Sequence, residues 1–291
     1  MAQQLSAPGV RARKTSAGAE PLVMVTAYDA PGARIADEAG VDMILVGDSL
    51  AMVVLGYDDT LQVTVDDMAH HVAAVARARP RPLLVADLPW LSYHLGPEDA
   101  VRNAALLVRA GAQAVKLEGG RKRLPVVRAI LDAEIPVMGH LGLTPQSLHA
   151  LGGFKVQGKE ADAARDLVAD AVALAEEGCF SIVLEAVPDV VGRMVTSAVD
   201  VPTVGIGAGP DCDGQVLVFH DLLGLQDRVR PKFVRQYASL KAEAVVAVAA
   251  FAADVRARRF PADAESYHAP AELTAESVAG FYGAGGTTRS A

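Results

Sequence analysis

The stretch Ala114–Gly120, AVKLEGG, sets a lysine and a glutamate two residues apart in an apolar run that ends in two glycines. In an extended chain successive side chains alternate, so Lys116 and Glu118 share one face while Val115 and Leu117 share the other. Charges on an otherwise buried strand are costly unless they are paired, bind a metal or do chemistry. Neighbouring apolar runs end in the same way: Asp48 and Ser49 close LVGDS, Asp87 closes LVADLP, His140 closes VMGHLG and Glu185 closes IVLEAVP. Each residue alone has a plainer reading. A strand-end Asp commonly caps the next turn, a single His is commonly a satisfied hydrogen-bonding residue, and Lys116 with Glu118 could be a simple ion pair. The coincidence across strands shifts the weight, because crowded carboxylates repel and raise one another's pKa unless a cation sits among them. Asp48, Asp87 and Glu118 are hard oxygen donors with no thiolate or imidazole cluster beside them, which suits Mg2+ or Mn2+ rather than structural zinc. Such an ion leaves positions for a substrate, and a 2-oxo acid could chelate it through its keto and carboxylate oxygens.

The elements that must carry these groups follow from periodicity. Eight short apolar, β-rich runs start at Pro21, Asp42, Pro82, Ala112, Ile135, Phe180, Val201 and Gln215, and helical patterns lie between most of them. Alternating βα units imply a parallel sheet, and eight of them close an α/β single (β/α)8 TIM barrel. In that architecture the chemistry sits at the C-terminal ends of the strands, which is where the polar residues fall. Helices are predicted from Val65, Gly96 and Lys159; the second has Pro97, Glu98 and Asp99 in its first turn and Gly111 beyond its end, a consistent set of start and stop signals. The connection between the last two strands is too short for a helix. FVRQYASLKAEAVVAVAAFAADVRARRF reads as a long amphipathic helix that would pack across the barrel or against another subunit. The expected organisation is a flexible N-terminal segment over 1–20, the catalytic barrel over 21–261 and a flexible tail over 262–291.

Composition narrows the function classes. With 51% hydrophobic and 21% charged residues the chain is an aliphatic-rich globular protein, not a disordered or fibrous one. A formal net charge of -8, with Arg121-Lys122-Arg123 as the one short basic run, argues against nucleic acid or an anionic membrane as partner. Cys179 and Cys212 are far apart and lack metal-ligand spacing, which suits a reducing cytoplasm. No secretory signal and no apolar run of about 18 residues is present. GHLGLTPQSLHALGGFKVQG from Gly139 is too long and Gly-rich for an ordinary connection and reads as an active-site loop. GIGAGPDCDG from Gly205 is read as a tight turn, and His70-His71 as ordinary helix residues.

Several long motifs, in order, carry a resemblance: VTAYDAPGARIADEAGVDMILVGDSLAMVVLGYDDTLQVTVDDM, VADLPWLSY, RAGAQAVKLEGG, IPVMGHLGLTPQ with GGFKVQG, VLEAVP and GIGAGPDCDGQVLV. Over roughly Pro21 to Pro261 the chain resembles the ketopantoate hydroxymethyltransferase family. The resemblance implies a barrel of the phosphoenolpyruvate/pyruvate type and one Mg2+ per subunit. It implies 5,10-methylenetetrahydrofolate as co-substrate, 3-methyl-2-oxobutanoate as acceptor and 2-dehydropantoate as product, the first committed step towards pantothenate and coenzyme A. It also implies a homodecamer. By the same resemblance Asp48, Asp87 and Glu118 surround the metal, Asp48, Ser49, Asp87 and Lys116 hold the oxo acid, and Glu185 accepts the proton. His140 is a further active-site candidate. The alternatives on the same residues are a Schiff-base aldolase using Lys116, a related metal-dependent lyase or mutase of 2-oxo acids, and a non-catalytic barrel with structural charges.

Overall fold

The computed structural model describes residues 4–15, 18–226, 230–274, 276 and 277. Eight strands, β1 (Leu22–Thr26), β2 (Met43–Val46), β3 (Leu83–Asp87), β4 (Ala114–Glu118), β5 (Val137–Gly142), β6 (Ser181–Glu185), β7 (Thr203–Ile206) and β8 (Gly214–Leu217), form a closed barrel in chain order. Every neighbouring pair is parallel, β8 against β1 included. The helices are α1 (Ala7–Arg11), α2 (Ala30–Glu38), α3 (Leu50–Val53), α4 (Val65–Ala76), α5 (Pro97–Ala110), α6 (Leu124–Asp132), α7 (Leu148–Leu151), α8 (Ala161–Glu177), α9 (Asp189–Ala198), α10 (Phe219–Leu223) and α11 (Leu240–Arg256). As expected, β7 runs to β8 without a helix.

Two apolar layers build the barrel. The outward residues of the strands, such as Ile44, Leu84, Val115 and Ile182, pack with the surrounding helices. The inward residues, among them Met43, Leu83, Val85, Ala114, Met138 and Val183, fill the lumen. Strand alternation then dictates what comes next along each inward row. Ala114 is followed by Lys116 and Glu118, Val85 by Asp87, Met138 by His140 and Val183 by Glu185. The apolar lumen therefore ends in charge at the C-terminal mouth.

Local signals set the helix ends. Thr64 and Asp67 form a reciprocal cap at the start of α4, each side chain accepting the other's backbone N–H. Gly111 ends α5 at φ 118°, and a Cβ there would meet that of Ala76 at 2.4 Å, so both conformation and space require glycine.

The N-terminal segment departs from expectation. Among the described residues of the segment expected as a flexible arm over 1–20, Ala7–Arg11 form α1, whose Ala7 and Val10 join the buried cluster of Leu22, Met43, Leu83 and Phe180 at the lumen's lower end. Ser6 starts this helix by accepting the Gly9 N–H. The physical reason is that the N-terminal mouth of an eight-strand barrel exposes apolar lumen residues, which a short amphipathic turn covers. Lys14 follows it inward and pairs with buried Asp213 at 2.7 Å.

The compact unit containing the barrel runs to Ser239, short of the expected boundary at 261, and Leu240–Ala291 forms a second unit. In that second unit α11 has no buried residue, and Val245, Val246, Val248 and Phe251 are exposed. Phe251 and Phe260 stack edge to face at 5.2 Å, and Arg259 pairs with Asp254. Of the tail over 262–291, residues 275 and 278–291 lie outside the described residues. Among the described residues no helix is long and apolar enough to cross a membrane.

Candidate active site

Strand register brings the singled-out residues to one mouth. Asp87 lies beside Lys116 across β3 and β4, Glu118 beside His140 across β4 and β5, and Glu185 beside Gly142 across β5 and β6. Asp48 joins them from the turn after β2, its backbone N–H donating to Asp87 Oδ2 at 3.0 Å. Asp48, Asp87, Lys116, Glu118 and His140 are all buried, whereas the Glu185 side chain keeps 17% of its surface exposed. Glu185 is thus the acid nearest to solvent, and the others form the floor.

The acids on that floor crowd one another. Lys116 Nζ lies 2.9 Å from Asp87 Oδ1, yet this oxygen is buried without an aligned hydrogen bond. Burial alone would lower the Lys116 pKa, but Asp87, Glu118 and Asp48 hold it above the ordinary lysine value, so the side chain is an ammonium. Burial, then the charges of Asp87 and Glu118, drives Asp48 well above the usual carboxylate range, against the opposing pull of Lys116 and Gln146. Lys116 therefore faces three crowded carboxylates, and the mutual repulsion that raises Asp48 is what a bound cation would relieve.

His140 links the floor to the mouth. Its Nδ1 lies 3.2 Å from Lys116 Nζ and 3.5 Å from Glu118 Oε1, and its Nε2 is 3.2 Å from Glu185 Oε2. Burial and Lys116 push its pKa down, but the two glutamates outweigh them and raise it to about 9. The Nε2 contact with Glu185 is close but not an aligned hydrogen bond, so it acts on that carboxylate as a charge contact when the imidazole is protonated. Ser49 stands at the edge, sharing a 2.9 Å hydrogen bond with Tyr28.

The long segment after β5 is tied to the mouth at both ends. Leu143 N–H donates to the Glu185 carbonyl at 2.8 Å, and Gln157 N–H to the Ala186 carbonyl at 2.9 Å. Gly142, at φ 91°, allows the first contact, because a Cβ there would stand 2.2 Å from the Glu185 carbonyl oxygen. Within this segment Pro145 opens a single 3-10 turn that lowers Gln146 into the floor, where its Nε2 donates to Asp48 Oδ2 at 2.8 Å. Sequence reading placed the loop at the site but missed Gln146, and it missed Tyr93, whose hydroxyl donates to Gln146 Oε1 at 2.6 Å. The available signal was an amide side chain directly after Thr-Pro in a loop already assigned to the site. His71 behaves as the bland reading expects, its Nδ1 lying 2.7 Å from the Tyr28 carbonyl oxygen. Cys179 and Cys212 are both buried free thiols, and burial raises the Cys179 pKa to about 12.

Among the described residues no three carboxylate, imidazole or thiolate groups converge closely enough to form a complete metal cage. That geometry still fits an ion of the Mg2+ type, which keeps several waters and takes one or two carboxylates. Asp48 commits one oxygen to Gln146, and Asp87 commits Oδ2 to the Asp48 N–H while its Oδ1 lies beside Lys116 without an aligned hydrogen bond; Glu118 has Oε2 bound to the Gln146 N–H and Oε1 facing His140. The two aspartates are therefore the candidates for direct ligation, and Glu118 stands behind them.

A closed parallel barrel with a buried acid–lysine cluster at its C-terminal mouth defines a (β/α)8 enzyme. Solved structures agree on the fold. Phosphonopyruvate hydrolase in complex with oxalate and Mg++ superimposes with a TM-score of 0.57 at 15% identity, covering 90% of this chain and 92% of that one. Oxaloacetate acetylhydrolase in complex with 3,3-difluorooxalacetate superimposes with a TM-score of 0.57 at 16% identity, covering 96% and 93%. The family model described as ketopantoate hydroxymethyltransferase matches residues 8–263, and the chain belongs to that family. Relatives named 3-methyl-2-oxobutanoate hydroxymethyltransferase include one from Moorella thermoacetica, 59% identical over 85% of this chain and 93% of its own length. Another, from Syntrophobacter fumaroxidans, is 53% identical over 97% of this chain and 99% of its own length.

Proposed function

We propose that this chain transfers a hydroxymethyl group to 3-methyl-2-oxobutanoate, giving ketopantoate, with 5,10-methylenetetrahydrofolate as donor and Mg2+ as the bound ion. The observation that carries the reading is the partly exposed Glu185 set over a buried cluster in which Asp48, Asp87 and Glu118 crowd around Lys116. Asp48 and Asp87 would hold the ion, which when bound would polarise the 2-oxo group as a Lewis acid, an effect of several kcal/mol.

The protein's own groups account for the remaining demands. Lys116 supplies positive charge for the oxo acid's developing negative charge, and Ser49 offers a hydroxyl at the pocket edge. Glu185, with the His140 imidazole 3.2 Å away, removes the proton from C3; general-base assistance of this kind is worth a factor of about 10² to 10⁴. The freed carbon bonds to the one-carbon unit, water supplies the hydroxyl oxygen, and tetrahydrofolate leaves. The raised pKa of Lys116 disfavours the Schiff-base alternative, because an ammonium is no nucleophile. The cytoplasm, a homo-oligomeric state and its decameric form are part of the same reading, the last resting on family resemblance.

The test follows C3 proton exchange of 3-methyl-2-oxobutanoate in deuterated water by NMR, with and without Mg2+. Glu185→Gln is expected to retain oxo-acid binding and lose exchange by about a hundredfold or more. Undiminished exchange in the variant would remove Glu185 as the base. Metal-dependent cleavage or rearrangement of a 2-oxo acid with no folate donor, and no ketopantoate when the donor is supplied, would favour the lyase or mutase alternative.

A further inference from the structure

The backbone N–H and both side-chain polar atoms of Gln146 have partners, although this residue lies outside the set of strand-end acids. It is buried, with 5% of its surface exposed. Its backbone N–H donates to Glu118 Oε2 at 3.0 Å, and its Nε2 donates both to Asp48 Oδ2 at 2.8 Å and to the Leu88 carbonyl at 3.0 Å. Its Oε1 accepts the Tyr93 hydroxyl at 2.6 Å, and the Tyr93 oxygen in turn accepts the Glu118 N–H at 3.3 Å. The amide cannot be turned round. The Leu88 carbonyl only accepts, so it must face the amide's NH2 group, and the remaining oxygen must then meet a donor. Tyr93 is that donor because its own oxygen is already taken by a backbone N–H.

The consequence is an ordered division of oxygens. Asp48 Oδ2 is held by Gln146 and Asp87 Oδ2 by the Asp48 N–H, while Asp87 Oδ1 is buried without an aligned hydrogen bond. Among the described residues no hydrogen bond to Asp48 Oδ1 accompanies these. We propose that Gln146 is a positioning residue of this site: its side-chain amide, locked by Tyr93, fixes which oxygen of Asp48 is left for the divalent cation. Its backbone N–H makes the same choice at Glu118. Partners of this kind, one step behind the ligands, commonly set metal affinity. The inference rests on the reading in which Asp48 and Asp87 hold the ion.

The experiment measures Mn2+ binding to the metal-free full-length chain by electron paramagnetic resonance, with neither oxo acid nor folate present. Gln146→Met keeps the length of the side chain and removes its donors and acceptor; the backbone contact to Glu118 remains. It is expected to raise the Mn2+ Kd about ten- to a hundredfold. Tyr93→Phe is expected to move it in the same direction by a smaller factor, since only the lock on the amide is lost. In steady state with Mn2+ varied, the apparent KM for the metal should rise in both variants more than kcat falls. A residue that merely anchors its loop would lower thermal stability and leave Mn2+ affinity unchanged. A folded Gln146→Met chain with wild-type Mn2+ affinity overturns the proposal. Should that variant fail to fold, an unshifted Kd in Tyr93→Phe overturns it equally. Failure of the wild-type chain itself to bind Mn2+ strikes instead at the cation reading on which the proposal stands.

Discussion

Both ends of the barrel bury a lysine beside an aspartate, and the two pairs are built differently. At the N-terminal end Lys14 Nζ meets Asp213 Oδ2 at 2.7 Å and also donates to the carbonyls of Thr196 and Val201. Asp213 accepts further hydrogen bonds from the N–H and hydroxyl of both Thr15 and Thr203. Burial would raise the Asp213 pKa, but Lys14 and Thr15 outweigh it and hold the carboxyl below its usual value. At the C-terminal end Lys116 faces Asp87, Asp48 and Glu118 together, and Asp48 is displaced in the opposite direction. A buried ion pair is therefore no mark of a functional site. The mark is like charge crowded beyond what the protein's own donors relieve.

Removing a partner should hurt the saturated end most. Lys14→Met leaves Asp213 buried without its cation and is expected to cost about 3 to 5 kcal/mol in urea unfolding, with turnover per folded molecule unchanged. A loss below about 1 kcal/mol would erase the contrast between the ends. A steric test at the other end comes next. Gly142→Ala forces a Cβ against the Glu185 carbonyl at a positive φ. The expected cost is about 1 to 3 kcal/mol, together with a fall in C3 proton exchange, and retained exchange would show that Glu185 does not depend on this backbone approach.

The smallest predicted effect has the opposite sign. Asp48→Asn removes one of the crowded carboxylates and should stabilise the metal-free chain at neutral pH, because the folded pKa of Asp48 is raised, while abolishing activity. The sign follows from linkage. A carboxyl whose folded pKa is raised opposes folding once pH climbs past its unfolded value near 3.9, and the penalty disappears below that value. Asp213, with its folded pKa lowered, contributes stability above the same unfolded value and loses it as pH falls through the folded one. Denaturant titrations of wild type, Asp48→Asn and Asp213→Asn from pH 3 to pH 7 should thus separate the two ends. Asp213→Asn is expected to lose most stability at pH 7, where Asp48→Asn gains most.

Much of this was legible in residue order. The period of two that puts Ala114, Lys116 and Glu118 on one row needs no tertiary information, and the same holds for Asp87, His140 and Glu185 at their strand ends. The saturated end was not legible. Lys14 and Asp213 are separated by almost the whole barrel in sequence, and nothing local distinguishes Lys14 from a surface lysine or the short helix before it from a loose arm. Gln146 was hidden for a similar reason, since an amide in a loop carries no periodic signal.

Local sequence by itself determined the eight strands, the face on which each charge emerges and the end of the barrel that carries the chemistry, because alternation and helix signals act over a few residues. Only the closed tertiary structure decided how those charges are shared: which carboxylate meets Lys116, that Glu118 turns to Gln146 and His140, and that the N-terminal segment plugs the lower mouth. The reason is that pairing depends on which strands become neighbours and on how far burial excludes water, and both exist only once the barrel has closed.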